Sequence, residues 1–281
     1  MTKDKEAQRR RGEMLRRLHS GKPILVLPNV WDVASARIVE QAGFPALATS
    51  SAGVAFALGY PDGERISREE MAAAVARIVA HVALPVTADM ESGYGRRPED
   101  AADTVRAAID AGAVGMNFED SPGESGDPLL DEALQVERIR AARKAADATG
   151  VPFVLNARTD VYLESVGPPE TRLAHAVRRL NSYRAAGADC LFAPGVTDAD
   201  TIATLVRQVK GPLNVLAAAA SPPVPELERL GVARVSLGSG PMRAGLTVLR
   251  RLAEELRATG TFGGLSGVIP HAEVNRLLGG A

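Results

Sequence analysis

Ala107-Ala-Ile-Asp-Ala-Gly112-Ala-Val114-Gly-Met-Asn-Phe118-Glu119-Asp120 passes from an alanine-rich helical stretch through one glycine into a short apolar run, and ends on two acids. A glycine at that place closes a helix in the left-handed conformation, and an unbroken apolar run is how a strand buried on both faces reads. The unit recurs at Gly43 before the run 45–49, at Gly187 before 189–192 and at Gly231 before 233–237. Three further junctions use proline instead, at Leu84-Pro85, Val151-Pro152 and Gly211-Pro212, and 23–27 supplies an apolar run near the start. That makes eight strands. Helix starts lie between them, at the capping box Ser67 to Glu70, at Pro98-Glu99-Asp100, at Asp198 and at Pro241. Alternating strands and helices, eight times over, predict an α/β fold, a (β/α)8 TIM barrel. An open doubly wound sheet is the alternative, but no glycine-rich dinucleotide fingerprint follows the first strand.

The 281 residues suit one barrel domain, which needs roughly 250. With 46% hydrophobic residues and a net charge of −1 the chain can bury a large core, and nothing points to nucleic acid. Arginines at 9, 10, 11, 16 and 17 are interrupted by Asp4, Glu6 and Glu13, which favours an amphipathic N-terminal helix over 1–20 above a basic arm. No apolar run approaches the ~20 residues of a membrane span, and no signal peptide is apparent, so a cytoplasmic protein is expected. Cys190 is the single cysteine; it falls within a strand and reads as a core residue rather than a nucleophile. Residues 261–281 lie outside the eight units. Gly263-Gly264 followed by a helical segment over 270–278 reads as a C-terminal arm that packs on a neighbouring subunit.

In such a barrel the working residues sit at the carboxyl ends of the strands. Acids dominate those positions: Asp89-Met90-Glu91 after strand three, Glu119-Asp120 after strand four, Arg158-Thr159-Asp160 after strand five. Residues two apart on a strand face one side, so Asp89 and Glu91 are expected to point into the mouth, with Glu119 converging from the next strand. Three acids without lysine or histidine repel one another unless a cation lies between them, and all-oxygen ligands imply a hard ion, Mg2+ or Mn2+. The four histidines fall in helices or the tail, which disfavours zinc. The competing structural reading pairs these acids with Arg96, Arg97 or Arg158 as salt bridges. Arg158 is a rigid fork suited to a substrate carboxylate, or else orients Asp160 or Glu119. Ser50, Ser51 and Ala52, before Gly53, offer hydroxyls and backbone N–H groups that could cradle another carboxylate or an enolate oxygen. No lysine lies at a strand end, which argues against Schiff-base chemistry.

These residues resemble the isocitrate lyase and phosphoenolpyruvate mutase superfamily over roughly 27–240. Asn29 to Arg37 looks like the family's first loop and helix, and Thr49-Ser-Ser-Ala-Gly53 stands where a carboxylate-binding segment lies. Leu58-Gly-Tyr-Pro-Asp62 resembles Leu-Gly-x-Pro-Asp, and Asp89-Met-Glu91-Ser-Gly93-Tyr94-Gly95 resembles Asp-x-Asp-x-Gly-[Phe/Tyr]-Gly with Glu91 in place of the second Asp. Phe118-Glu119-Asp120 and Ala157-Arg158-Thr-Asp160 complete the set. The resemblance implies that a 2-oxo or 2-hydroxy acid chelates Mg2+ on Asp89, Glu91 and Glu119. It implies that Asp62 reaches the metal shell, that Arg158 holds the substrate, and that barrels pair as a homodimer or homotetramer with an exchanged C-terminal helix. The Lys-x-Cys-Gly-His loop of the isocitrate and methylisocitrate lyases is replaced by 121–130, and their Phe-Pro-Glu by Phe192-Ala-Pro-Gly195. Within the loop only Glu124 and Asp127 could serve as acid or base. The expectation is a Mg2+-dependent carbon–carbon lyase on a small 2-oxo or 2-hydroxy acid, by retro-aldol cleavage or decarboxylation, with Arg158, Glu119 and Asp62 as catalytic residues. Three alternatives stay open: a phosphonopyruvate hydrolase or mutase-like enzyme, a non-catalytic 2-oxo acid binder, and a sugar-phosphate enzyme using Gly238-Ser239-Gly240.

Overall fold

A computed structural model of the chain describes residues 3–20, 22–122 and 128–279. Its strands are β1 (Leu25–Leu27), β2 (Asn29–Val30), β3 (Leu47–Thr49), β4 (Val86–Asp89), β5 (Gly115–Glu119), β6 (Val154–Arg158), β7 (Cys190–Phe192), β8 (Leu213–Leu216) and β9 (Arg234–Ser236). All pairings are parallel, and the order β1-β9-β8-β7-β6-β5-β4-β3-β2 brings the last strand back to the first. The expected eight strands become nine because the first is broken at Pro28, which has no N–H to donate. Its first half pairs with β9, with Leu25 opposite Arg234, and its second with β3, with Asn29 opposite Ala48. One interrupted strand thus closes the barrel, as the (β/α)8 reading requires.

The helices are α1 (Lys3–Leu18), α2 (Val33–Gln41), α3 (Ser51–Leu58), α4 (Arg68–Val79), α5 (Pro98–Asp110), α6 (Glu132–Thr149), α7 (Pro169–Ala185), α8 (Ala199–Gln208), α9 (Val224–Leu230), α10 (Gly240–Thr259) and α11 (His271–Gly279). The repeated closing glycines behave as read, Gly112 for instance at φ 88° with the Val79 Cγ1 only 2.7 Å from where a Cβ would lie. The capping box at Ser67 and Glu70 is formed, and Asp198 caps α8. One helix was not foreseen: α3 starts directly at the end of β3, on the stretch read as a cradle.

The floor of the barrel is stopped by α1. Gln8, Gly12, Leu15 and His19 are buried along one helical stripe, which settles the basic start as an amphipathic helix. A Cβ at residue 12 would lie 2.1 Å from the Pro152 carbonyl oxygen, so only glycine lets the helix lie this close. Gln8 Nε2 donates to the carbonyls of Ile109 (2.7 Å) and Ala113 (3.1 Å). Inside the barrel, Arg234 is fully buried; it donates to Asn117 Oδ1 at 3.1 Å and reaches His19 Nε2 at 3.5 Å. His19 Nδ1 lies 2.8 Å from the Leu15 carbonyl, so the ring is read as Nδ1–H, with Nε2 facing the guanidinium. Cys190 is buried in the same interior, and burial pushes its thiol up to about 11, as befits a core residue.

The C-terminal segment departs from this compact pattern. None of the 20 residues of α10 is buried, and Leu246, Val248, Leu249 and Leu256 all stand exposed, Leu249 at 61%. After α10 the Glu255 carboxylate accepts from the N–H groups of Gly263 (2.7 Å) and Gly264 (2.8 Å), turning the chain back. The arm then ends in α11, close to the helix expected over 270–278, and Arg37 Nε of α2 donates to the Leu277 carbonyl at 2.9 Å. Among the described residues no helix is long and apolar enough to cross a membrane.

The floor plug carries a pH dependence. Burial, and then the charge on Arg234, hold His19 down at about 4, below its ordinary 6.5. A histidine depressed in the fold stabilises it fully above 6.5, and that contribution is lost as pH falls from 6.5 toward 4, at up to about 1.4 kcal/mol per pH unit. Urea unfolding of the wild type against His19→Gln should therefore show a stability difference that shrinks across that window. A difference independent of pH would mean that His19 titrates alike in the folded and unfolded chain.

Candidate active site

Asp89 ends β4 at the carboxyl mouth and is buried. Three neutral donors hold it: Ser51 N (3.1 Å) and Ser51 Oγ (3.0 Å) on Oδ2, and Asn117 Nδ2 (3.2 Å) on Oδ1. The Asn117 amide faces this way because its Oδ1 already accepts from Asn156 Nδ2 (2.8 Å) and Arg234. The cradle residues therefore have a more internal task than an open loop would give them. Ser50 is the N-cap of α3, its Oγ accepting from Gly53 N at 3.2 Å, and Ser51 serves Asp89. Ser50, Ser51 and Ala52 are all buried, so the backbone is not exposed as the sequence suggested.

Glu91 does not share a strand face with Asp89, as alternation had suggested. The strand stops at Asp89, and Glu91 lies in the following turn at φ 51°, a left-handed conformation costly for a non-glycine residue. Its carboxylate is nevertheless buried close to Asp89. Oε2 accepts a short hydrogen bond from Glu64 N, while among the described residues no group donates to the buried Oε1. Burial pushes its pKa up to about 8; the Glu64 N–H opposes this, and the charges on Asp89, Asp62 and Glu64 add to it. Asp62 stands at the exposed rim, raised by desolvation and then by Asp89, with Arg158 pulling the other way.

Turn 91–95 is held from several sides. Glu64 Oε1 accepts from Ser92 Oγ (2.7 Å) and Tyr94 N (2.9 Å), and Thr104 Oγ1 donates to the Gly93 carbonyl at 2.7 Å. Arg138 of α6 is fully buried, lies 4.8 Å over the Phe118 ring, and donates to the carbonyls of Ser92 and Gly95 (2.7 Å) and to Gln135 Oε1 (2.6 Å). None of its acceptors is charged, and burial lowers its pKa to about 10. Gly93, at φ 95°, packs so tightly that a Cβ would meet the Phe118 ring at 2.6 Å.

Arg158 takes both roles that the sequence left open as alternatives to substrate binding. Its Nη1 lies 2.5 Å from Glu119 Oε2, opposite on β5, and its Nε donates to Asp160 Oδ1 at 2.6 Å. Burial would lower the guanidinium's pKa, but Asp160 and Glu119 outweigh it and raise it. Burial raises Glu119 well above the usual carboxylate range, opposed by Arg158. Asp160 is in turn placed by Asp120, whose Oδ1 accepts from Asp160 N at 3.0 Å. Asp120 Oδ2 accepts from Arg179 Nε (2.8 Å) and Tyr183 Oη (2.6 Å). The salt-bridge reading thus holds for Glu119 and fails for Asp89 and Glu91, which have no ion pair among the described residues. Arg97 pairs with Asp100 instead. Glu124 and Asp127 lie outside the described residues. At the phosphate-type site, the N–H groups of Leu237 and Gly238 are already taken by Asn29 Oδ1, at 2.7 and 2.9 Å.

Glu64, Asn117, Arg138, Arg179 and Tyr183 were not read from the sequence as site residues. Only Asn117 had a positional signal, two residues before Glu119 on the same strand face.

The buried bare oxygen of Glu91, the like charges around it and the purely oxygen donor set fit a hard divalent cation. Among the described residues no three acid, histidine or cysteine side chains stand close enough to enclose an ion. Such a cation would therefore rest on one or two carboxylates plus waters, the usual habit of Mg2+.

A family model described as phosphoenolpyruvate phosphomutase matches residues 15–257. An oxaloacetate decarboxylase of Rhodopseudomonas palustris BisB5 is 31% identical over 89% of this chain and 86% of its own. A 2-methylisocitrate lyase of Escherichia coli K12 is 30% identical over 80% and 77%. A crystal structure from Burkholderia cenocepacia J2315, assigned as a lyase/mutase, superposes with a TM-score of 0.91 at 43% identity over 96% of each chain. With the barrel and its acidic mouth, these matches make the chain a member of the isocitrate lyase and phosphoenolpyruvate mutase superfamily of carbon–carbon lyases and mutases.

Proposed function

We propose that the protein is a Mg2+-dependent carbon–carbon lyase acting on a small 2-oxo or 2-hydroxy carboxylic acid. The observation that carries this reading is that, among the described residues, Asp89 is held by neutral donors alone and the neighbouring Glu91 is buried with an unused oxygen. Asp89 and Glu91 would hold the cation directly, with Glu119 and, at the rim, Asp62 reaching its water shell. Bound there, Mg2+ supplies the Lewis acidity that draws electrons from the breaking bond. Arg158 would receive the substrate carboxylate in place of Glu119, which would then be free to join the cation's shell. The segment 121–130, which stands where the lyases carry their Lys-x-Cys-Gly-His loop, has no lysine, cysteine or histidine. Decarboxylation suits that composition, because departing carbon dioxide needs no proton, and the name of the oxaloacetate decarboxylase relative supports it. Retro-aldol cleavage, for which the methylisocitrate lyase relative speaks, would need a general acid worth typically 10²- to 10⁴-fold.

The oligomer belongs to the same proposal. The exchanged element extends beyond the arm expected over 261–281 to include α10, whose apolar side is exposed and whose residues are none of them buried. Leu249→Glu should convert the wild-type oligomer to monomer in light scattering, whereas a wild type already monomeric at micromolar concentration would count against exchange.

Turnover is tested by incubating the protein and Mg2+ with 2-oxo, 2-hydroxy and phosphono acids and following products by NMR. A cleaved carbon–carbon bond is expected, with Asp89→Ala abolishing both turnover and metal dependence. Full activity of that variant refutes the metal assignment, and phosphate release from phosphonopyruvate would move the reading to phosphorus–carbon chemistry.

A further inference from the structure

Tyr94 lies in the turn after Glu91, at φ 55°. A bulky residue in the left-handed region persists only where the surroundings over-determine it. Here they do: Glu64 Oε1 accepts from its N–H, Arg68 Nη2 donates to its carbonyl at 3.3 Å, and the glycines on either side have their carbonyls tied to Thr104 and Arg138. Its ring packs against the core. The fixed backbone therefore fixes where the hydroxyl goes.

That hydroxyl is buried, and among the described residues no group accepts its proton. It lies within electrostatic reach of Glu91, Glu64, Asp89 and Glu119, the acids of the mouth. Glu64 spends Oε1 on the turn, Glu119 spends Oε2 on Arg158, and Asp89 is filled by Ser51 and Asn117. A strong donor thus stands among acids none of which takes its proton, while Glu91 Oε1 likewise lacks a donor among the described residues. Native proteins rarely leave such a group unmatched unless a ligand completes it. Burial and then the neighbouring acids hold the phenol protonated, so what it can offer is a hydrogen bond rather than a charge. The family motif admits phenylalanine here, so the hydroxyl is not needed to build the turn.

We infer that the Tyr94 hydroxyl is a substrate contact, donating to an anionic oxygen of the bound oxo acid; this rests on the 2-oxo acid reading above. It supplies a neutral donor in a site whose divergent segment lacks the usual ones, and it makes Tyr94 a residue that selects for an oxygen at that position.

The test is Tyr94→Phe, probed with oxalate, a compact mimic of a 2-oxo acid enolate. Calorimetry in Mg2+ should show oxalate binding weakened about 10- to 100-fold, the range for a lost hydrogen bond to a charged acceptor. Mn2+ binding alone, followed by EPR, should stay within about twofold, and ligand-free thermal stability should be unchanged or higher, because a hydroxyl without a protein partner has been removed. The wild-type tyrosine near-UV band should shift on adding oxalate, and the variant should lose that shift. Equal oxalate affinity in both proteins overturns the inference. So does a fall in ligand-free stability, which would reveal a structural partner, or a matching loss of Mn2+ affinity, which would assign the hydroxyl to the cation's waters. If the wild type itself does not bind oxalate with Mg2+, the 2-oxo acid reading fails first and takes this inference with it.

Discussion

Crowding of like charge at one mouth of the barrel is the constraint from which the rest follows. Asp62, Asp89, Glu91 and Glu119 feel one another through space that water reaches poorly, and repulsion between carboxylates is severe under such conditions. Each is accommodated by a different device. Asp89 is solvated by the start of α3 and by the oriented Asn117 amide. Glu91 is pushed toward its neutral form, and Glu119 shares Arg158 with Asp160. A buried ion pair of this kind adds little net stability when weighed against its desolvation. Its value here lies in exchangeable partners: a guanidinium bridged to one acid can accept another carboxylate with little change in net charge.

The second requirement is rigidity where the backbone is least comfortable. Glu64, Glu91 and Tyr94 all adopt left-handed backbone angles, each costing of order 1–3 kcal/mol, and all three meet at one side of the mouth. They are kept there by contacts from outside the strands. Arg138 reaches in from α6 to two carbonyls of the turn, and Glu64 returns along the loop after α3 to grip its N–H and hydroxyl donors. Across the mouth, Arg179 and Tyr183 of α7 do the same for Asp120 and through it for Asp160. Helices of the outer ring thus set the geometry of groups carried by the inner strands.

Much of this was legible in the chain itself. The glycine-closed helix followed by an apolar run identified the strands, and the acids and Arg158 at their ends followed from the fold. Glu91 was placed in the right region on the wrong element, because alternation holds only while a strand lasts and this one stops two residues earlier. The split at Pro28 was hidden for a related reason: a proline's missing donor matters only once the partners on both sides are known. Arg138 and Arg179 were illegible, since an arginine on a helix ordinarily faces water and no local pattern marks the rare one that does not. The start of α3 misled in the other direction. A run of small residues after a strand looks like an open cradle, and only the tertiary fold shows Asp89 already lying in it.

The divided first strand also bears on how the polypeptide matures. Its Asn29 cannot meet the Leu237 and Gly238 amides until 208 further residues have been synthesised. At cellular translation speeds of ~5–20 residues per second that is a delay on the order of ten to forty seconds. Throughout it, one flank of the growing sheet offers unpaired amides and carbonyls to any passing strand. The ribosome-bound intermediate is therefore the stage most exposed to misassociation, and the seam between first and last strands is where chaperone protection has most to protect.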